Sequence, residues 1–365
     1  MNMQRAEQGK QHGGGIVDRY MIMSLIALVA AVALKGSTST LAGGLLCAAL
    51  LLGVLAAVHH AEVIAARVGE PFGAIILALA VTVIELGLIV SIMLGAKPEP
   101  TLVRDTIHAV VVLVLHGLAG LCIVVGALKH REQDFHTQGA QAYLTVLLPM
   151  VSITLVLPNY TVTSPGPYYS TAQLAFVSIC CLLLWLAFTF IQTVRHRDYF
   201  MPAQEEEAPD PPPSKREAAI AVAMLGVALA AVVLLAKGVS PFIQTGVAAM
   251  GAPASLVGVI VAAIVLMPEA TTAVRAALAD RLQTSINLAL GSAVASIGLT
   301  VPTVALIAWW SGTPMELGVS AGSAALLGLS FLMAMITYGL GRASLLSGVV
   351  HLILLGMWLV FQIAP

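Results

Sequence analysis

GEPFGAIILALAVTVIELG (residues 69–87) and GAPASLVGVIVAAIVLMPEA (residues 251–270) decide how this chain is arranged. Each opens on Gly-x-Pro, runs through about a dozen apolar residues and reaches one glutamate, Glu85 or Glu269. A helix that crosses a bilayer needs roughly 20 mostly apolar residues, and both stretches read as such helices. A carboxylate in the middle of one has to be explained by what it binds.

The rest of the chain is built the same way. Of its 365 residues, 59% are hydrophobic and only 10% charged, with a mean hydropathy of +0.96. Soluble domains carry about 25% charged residues. The reading is an all-α polytopic membrane protein with eleven transmembrane helices. A polar tail (1–16) precedes an extra helix at 17–36. Two five-helix groups follow at 41–194 and 217–363, joined by an acidic, proline-rich linker at 195–216 that must lie in water. No removable signal peptide is expected, because no cleavage pattern follows a short apolar core. A net charge of −1 gives nucleic acid nothing to bind. The four cysteines fall in apolar segments without metal-binding spacing, so disulfides are not expected.

Basic residues orient the spans. With the amino terminus in the cytoplasm, 13 of the 17 Lys and Arg residues fall inside, leaving only Lys35, Lys97, Arg104 and Lys237 outside. The uncharged loop NYTVTSPGPYYS (159–170) lands outside, with tyrosines suited to the membrane interface. Each group has five spans, so the two groups enter the membrane from opposite sides. The Glu85 and Glu269 spans are second in their groups and run in opposite directions. Inverted repeats with special residues in equivalent helices are the architecture of secondary transporters.

A charge at the centre of a membrane helix costs roughly 2.5–3.5 kcal/mol on insertion scales. A glutamate is too short to escape to the interface as a lysine does. A protonated helix-to-helix hydrogen bonder would explain one such residue, but two in matching positions favour function. Neither span supplies a buried Lys or Arg partner, and Arg275 lies near a span end. Two carboxylates in a dry site resist joint ionisation, and a bound cation reverses that preference. Competition of proton and cation for one site is the minimum chemistry of an antiporter.

Oxygen ligands lie nearby in sequence. Thr82 shares the helix face of Glu85, and Thr271 and Thr272 follow Glu269. In QTSINLALGSAVASIGLTVP (283–302), Ser285, Ser292, Ser296 and Thr300 form one polar stripe flanked by Asn287. The stripe serves as either ligands or ordinary interhelical bonding. Pro268 removes a helical hydrogen bond beside Glu269, giving either a plain kink or a carbonyl ligand. His116, in VVLVLHGLAGL (111–121), is either a proton relay or a neutral histidine bonded to a carbonyl. His59, His60 and Glu62 read as an interfacial group, without the HExxH spacing of a zinc protease. The run Glu205–Glu207 reads as a solvated linker segment.

GEPFGAIILALAVTVIELGLIVSIML (69–94) and LMPEATTAVRAALADRLQTSINLALGSAVASIGLTVPTVAL (266–306) resemble the two signature repeats of the ChaA-type calcium/sodium/potassium–proton antiporters, in the cation/calcium exchanger superfamily. The resemblance covers nearly the whole chain. It implies an inner-membrane antiporter with no resident cofactor, whose partners are cations, protons and lipid. It assigns the ion-binding acids, and so any bound metal, to Glu85 and Glu269, with GSAVAS (291–296) beside them. Val83-Ile84 and Met267-Pro268 stand where broader calcium/proton exchangers carry Gly-Asn, and His116 stands where an asparagine is expected. Calcium export in exchange for protons is the expectation, with sodium or potassium exchange of little calcium activity as its alternative. A passive channel needs a continuous wet pore, which inverted repeats do not favour. An intramembrane enzyme would need a nucleophile–base pair, which is not evident, so no enzymatic activity is expected. No phosphate-cradling GxxxxGK[ST] occurs.

Overall fold

The computed structural model describes residues 19–69, 72–95, 99–201 and 212–364. The tail 1–16, Pro71 of the first Gly-x-Pro, Lys97 and the acidic run Glu205–Glu207 lie outside the described residues. The described chain is almost wholly helical, with ten helices or helical runs long and apolar enough to cross a membrane. They are α2 (Thr40–Val68), α3 (Phe72–Met93), a run of α4 (Leu102–Val112) and α5 (Ala119–His130), α6 (Thr137–Val151) with its extension to Tyr160, α7 (Thr171–Phe190), α8 (Lys215–Ala249), α9 (Ser255–Leu278), α10 (Leu282–Ser311), α11 (Ala321–Gly339) and α12 (Leu345–Ile363). The first helix, α1, is described over Arg19–Ala33. At 1.5 Å per residue this part rises about 22 Å, less than the hydrocarbon thickness. The sequence reading placed this helix at 17–36; its described part ends at Ala33, followed by a turn with Gly36 at φ 77°.

Side-chain caps fix several helix starts. Ser39 Oγ accepts from the Ala42 N–H, and Ser170 forms a reciprocal capping box with Gln173. Among the described residues, three π-helical segments interrupt the α geometry: Leu113–Leu118 between α4 and α5, Ser152–Val156 after α6 and Ile191–Arg195 after α7. No periodicity in the sequence announced them.

The chain divides into two compact units. One takes Met1–Gly95 and Asp210–Ile243, the other Ala96–Pro209 and Gln244–Pro365. In the first unit α2 packs on α3, and Gly87 lets α3 approach Val233 of α8. His60 lies 3.3 Å from Ser24 of α1, and His59 stacks on Tyr20. These contacts give His59 and His60 a packing role beside α1.

In the second unit α4 packs on α9, α7 on α10 and α5 on α12. The short strands β1 (Glu132–Asp134) and β2 (Arg342–Ser344) pair antiparallel. Arg342 bridges Glu132 at 3.3 Å and Asp134 at 3.2 Å, with all three side chains exposed. Exposed ion pairs contribute about 0–1 kcal/mol. Arg342→Ala is therefore expected to lower the midpoint of thermal unfolding by no more than a few degrees, measured in detergent.

At another edge of this unit, Arg104 pairs with Asp105 at 2.9 Å and with Glu316, and Glu316 accepts from the Tyr168 hydroxyl at 3.3 Å. Asn159 Nδ2 donates to the Val319 carbonyl, and Tyr169 OH to the Ile153 carbonyl. Burial pushes the Tyr169 phenol up to about 12, so it stays a donor across the physiological range. The uncharged 159–170 loop is thus knitted into the fold. Of its tyrosines, Tyr160 is the strongly exposed one.

Candidate functional site

Glu85 and Glu269 belong to different units, and each has its own surroundings. Glu85 lies thirteen residues after Phe72, the start of α3, and is 1% exposed. Thr82, one turn earlier, is also buried. Its hydroxyl donates to the Ala78 carbonyl at 2.8 Å, the usual way for a threonine to satisfy itself in an apolar helix. Ser91 does the same to Gly87.

Glu269 lies fourteen residues after Ser255, the start of α9, at nearly the same depth in its helix as Glu85. Ser292 Oγ on α10 donates to Glu269 Oε1 at 3.1 Å, so the structure brings together the acid and the polar stripe. Ser296, one turn further along α10, is buried. Ser285 Oγ donates to the Ala273 carbonyl at 2.6 Å and so ties α10 to α9. Thr300 Oγ1 is buried with no hydrogen-bond partner among the described residues.

Three neighbours turn elsewhere. Asn287 donates to the Phe200 carbonyl at 2.6 Å and accepts from Gln283 Nε2 at 2.9 Å. Its amide therefore pins the 197–200 turn to α10, a structural bond beside the ligand role that the sequence reading gave it. The Thr271 and Thr272 hydroxyls turn back to the Pro268 carbonyl at 2.7 and 3.4 Å. That carbonyl is occupied, and α9 stays helical through the proline. The carbonyl that loses its helical donor belongs to Ile264, four residues earlier.

His116 is 1% exposed within the Leu113–Leu118 π segment. Its Nδ1 lies 2.8 Å from Nδ1 of His351 on α12, a partner the sequence reading did not find. The signal was present: HLILLGMWLV (351–360) sets a second histidine in an apolar run.

Among the described residues, no three His, Cys, Asp or Glu side chains cluster as a metal site. Hard cations take oxygen ligands, so hydroxyl, carbonyl and amide oxygens and water can add to a carboxylate in holding one.

The fold and these acids define a multi-pass helical membrane protein with carboxylates inside its spans. The sodium/calcium exchanger protein family matches residues 38–194 and 220–364, and this chain belongs to that family. The Sinorhizobium fredii protein y4hA is 44% identical over 326 residues, covering 88% of each chain. The sodium-potassium/proton antiporter ChaA of Escherichia coli is 32% identical over 318 residues, covering 85% of this chain and 86% of its own. The Ca2+/H+ antiporter protein YfkE shares the fold, with a TM-score of 0.71 at 17% identity over 95% of this chain and 99% of that one.

Proposed function

We propose that the chain is a secondary active cation/proton antiporter, in which Glu85 and Glu269 bind cation and proton in turn. The observation that carries this is a carboxylate at matching depth in α3 and α9, one of them 1% exposed inside an apolar span. Family membership supports it, since the family matches in two segments with one acid in each. An ionised carboxylate away from bulk water attracts a cation, and a proton taken up in its place releases that cation. The protein lies in a bacterial-type inner membrane with its amino terminus in the cytoplasm, as the Lys and Arg asymmetry supports. The segments 41–194 and 217–363 act as inverted repeats, one acid in each, as in secondary transporters.

A second reading makes sodium or potassium the cargo. It is favoured by the name of the Escherichia coli relative, which covers most of the chain.

The test uses proteoliposomes holding a preset pH gradient, to which calcium, sodium, potassium and magnesium are added separately. Collapse of the gradient by one ion supports antiport and names the cargo. Cation movement without proton counterflow would replace this reading with a channel. Ser292→Ala removes the hydroxyl that reaches Glu269. Hydrogen bonds to charged groups contribute about 1.5–3 kcal/mol, so half-maximal cation concentration should rise at least about tenfold. An unchanged value would detach Ser292 from the site.

A further inference from the structure

Deep in the second unit, two histidines touch. His116 lies midway along the Leu102–His130 run, and His351 on α12 is fully buried. Their Nδ1 atoms are 2.8 Å apart, with ring centroids at 5.0 Å. Two ring nitrogens at that distance need one hydrogen between them, so one donates and the other accepts.

Two arrangements of that hydrogen are open. Nε2 of His351 faces Thr337 Oγ1 at 3.0 Å. With the shared hydrogen on Nδ1 of His351, its Nε2 accepts from Thr337; with it on Nδ1 of His116, Nε2 of His351 donates to Thr337. The threonine is oriented for this. Hydroxyls of Thr82, Ser152, Thr154, Ser178 and Ser330 donate to the carbonyl four residues back. The Thr337 hydroxyl is instead turned to the ring.

A hydroxyl can donate or accept by rotating. When a proton adds to the Nε2 lone pair of His351, the Thr337 hydroxyl turns and accepts the new N–H. The resulting imidazolium then has both N–H groups bonded: Nδ1–H to His116 and Nε2–H to Thr337. A second proton has no place between the rings, because protonating Nδ1 of His116 would set two N–H groups face to face. The pair therefore holds one extra proton.

Small residues bring the rings together. A Cβ on Gly120 would lie 2.9 Å from His351 Cβ, and one on Gly348 would lie 2.8 Å from Val124 Cγ2. The widened π turn at Leu113–Leu118 carries His116. The other titratable groups on the helices packed around the pair are His108 on α4, Cys122 on α5, Glu269 on α9 and Tyr338 on α11. Arg104 and Asp105 lie toward one end of these helices, and Lys129, His130 and Arg275 toward the other.

We propose that His116 and His351 form a proton-binding site on side chains other than the two glutamates, which takes up a single proton on His351 between His116 and Thr337. Its role in transport rests on the antiport reading; its proton binding does not.

Two measurements separate these. The first follows ¹⁵N-labelled imidazoles by NMR, in the full chain in lipid bilayers with choline as the only salt cation. From about pH 5 to about pH 9, which spans the ordinary imidazole range, the two rings should titrate as one coupled step. A signature of nitrogen-to-nitrogen hydrogen bonding should be present and should vanish in His351→Asn. Two rings that stay neutral throughout, or that titrate independently, overturn the proposal. The second measures cation-driven proton movement against pH in proteoliposomes. His351→Asn removes the proton's seat and should move the pH midpoint about one unit toward acid, a tenfold change in proton concentration. Thr337→Val, which keeps shape and loses only the hydroxyl, should move it the same way by less. An unmoved midpoint in folded variants overturns the role in transport. Wild-type vesicles without any coupled proton movement would sink the antiport reading instead, and the NMR titration would still decide the pair.

Discussion

Glu269→Gln is expected to reduce cation-driven proton movement to the level of empty vesicles, and Glu85→Gln to do the same. Glutamine keeps the size of the side chain and the chance of a hydrogen bond, but it carries no charge and takes no proton. At Glu269 the Ser292 hydroxyl can still meet an amide oxygen, so the packing of α9 on α10 survives. What is lost is the attraction between a carboxylate and a cation away from bulk water. Removing one member of a buried charged pair costs about 3–5 kcal/mol, which is about two to nearly four orders of magnitude in occupancy. Asp is the informative third variant, since it keeps the charge and shortens the reach. It should retain measurable exchange with weakened cation affinity. Full transport by both glutamine variants, reconstituted at wild-type levels, would remove the acids from the mechanism.

Gly258→Ala is expected to destabilise the protein by about 1–3 kcal/mol, the cost of overpacking a well-filled interior. A Cβ at this position would fall 2.8 Å from the Asp105 carbonyl carbon and the Thr106 nitrogen. These are backbone atoms of α4, so no side chain can swing aside and α4 must part from α9. Glu269 lies eleven residues further along α9, so the displacement should also lower exchange. Gly226→Ala on α8 is the control, because nothing lies within 4 Å of its added methyl group. Alanine is the better helix former by about 1 kcal/mol, so Gly226→Ala should match or exceed wild type. Thermal unfolding followed by the fluorescence of the tryptophans checks both. Equal stability of the two variants would mean that α4 and α9 have slack.

The sequence carried the spans because burial in lipid imposes one strong rule, a long apolar run for each helix. It carried Glu85 and Glu269 because a charge inside such a run stands out. It also carried Ser292 as a neighbour of Glu269, through the four-residue spacing of the stripe with Ser296. It gave no sign of the bond that Asn287 makes, since its acceptor, Phe200, is 87 residues away. His351 was missed for a similar reason. Its partner His116 is 235 residues distant, and no local period connects them. The strands β1 and β2 are three residues each, too short for any alternating pattern, and Arg342 pairs there with residues more than 200 positions earlier. The reach of Arg104 to Glu316 is of the same kind. Local rules predict the helices, while long-range contacts decide which polar groups are structural and which are free for chemistry.

The π turn at Leu113–Leu118 also resets the phase of its span. A helical wheel drawn from Leu102 advances 100° per residue, but a π turn closes its hydrogen bonds over one residue more. Beyond Leu113 every side chain lags the wheel by up to one position, so the face read from Leu102 is no longer the face presented by Ala119 onward. Relatives that lack this turn would align here with a one-residue gap, or with none and a rotated face. Residue-by-residue comparison across His116 therefore needs the register of the turn as well as the letters. A histidine in the column of an asparagine is then as much a difference in direction as in chemistry.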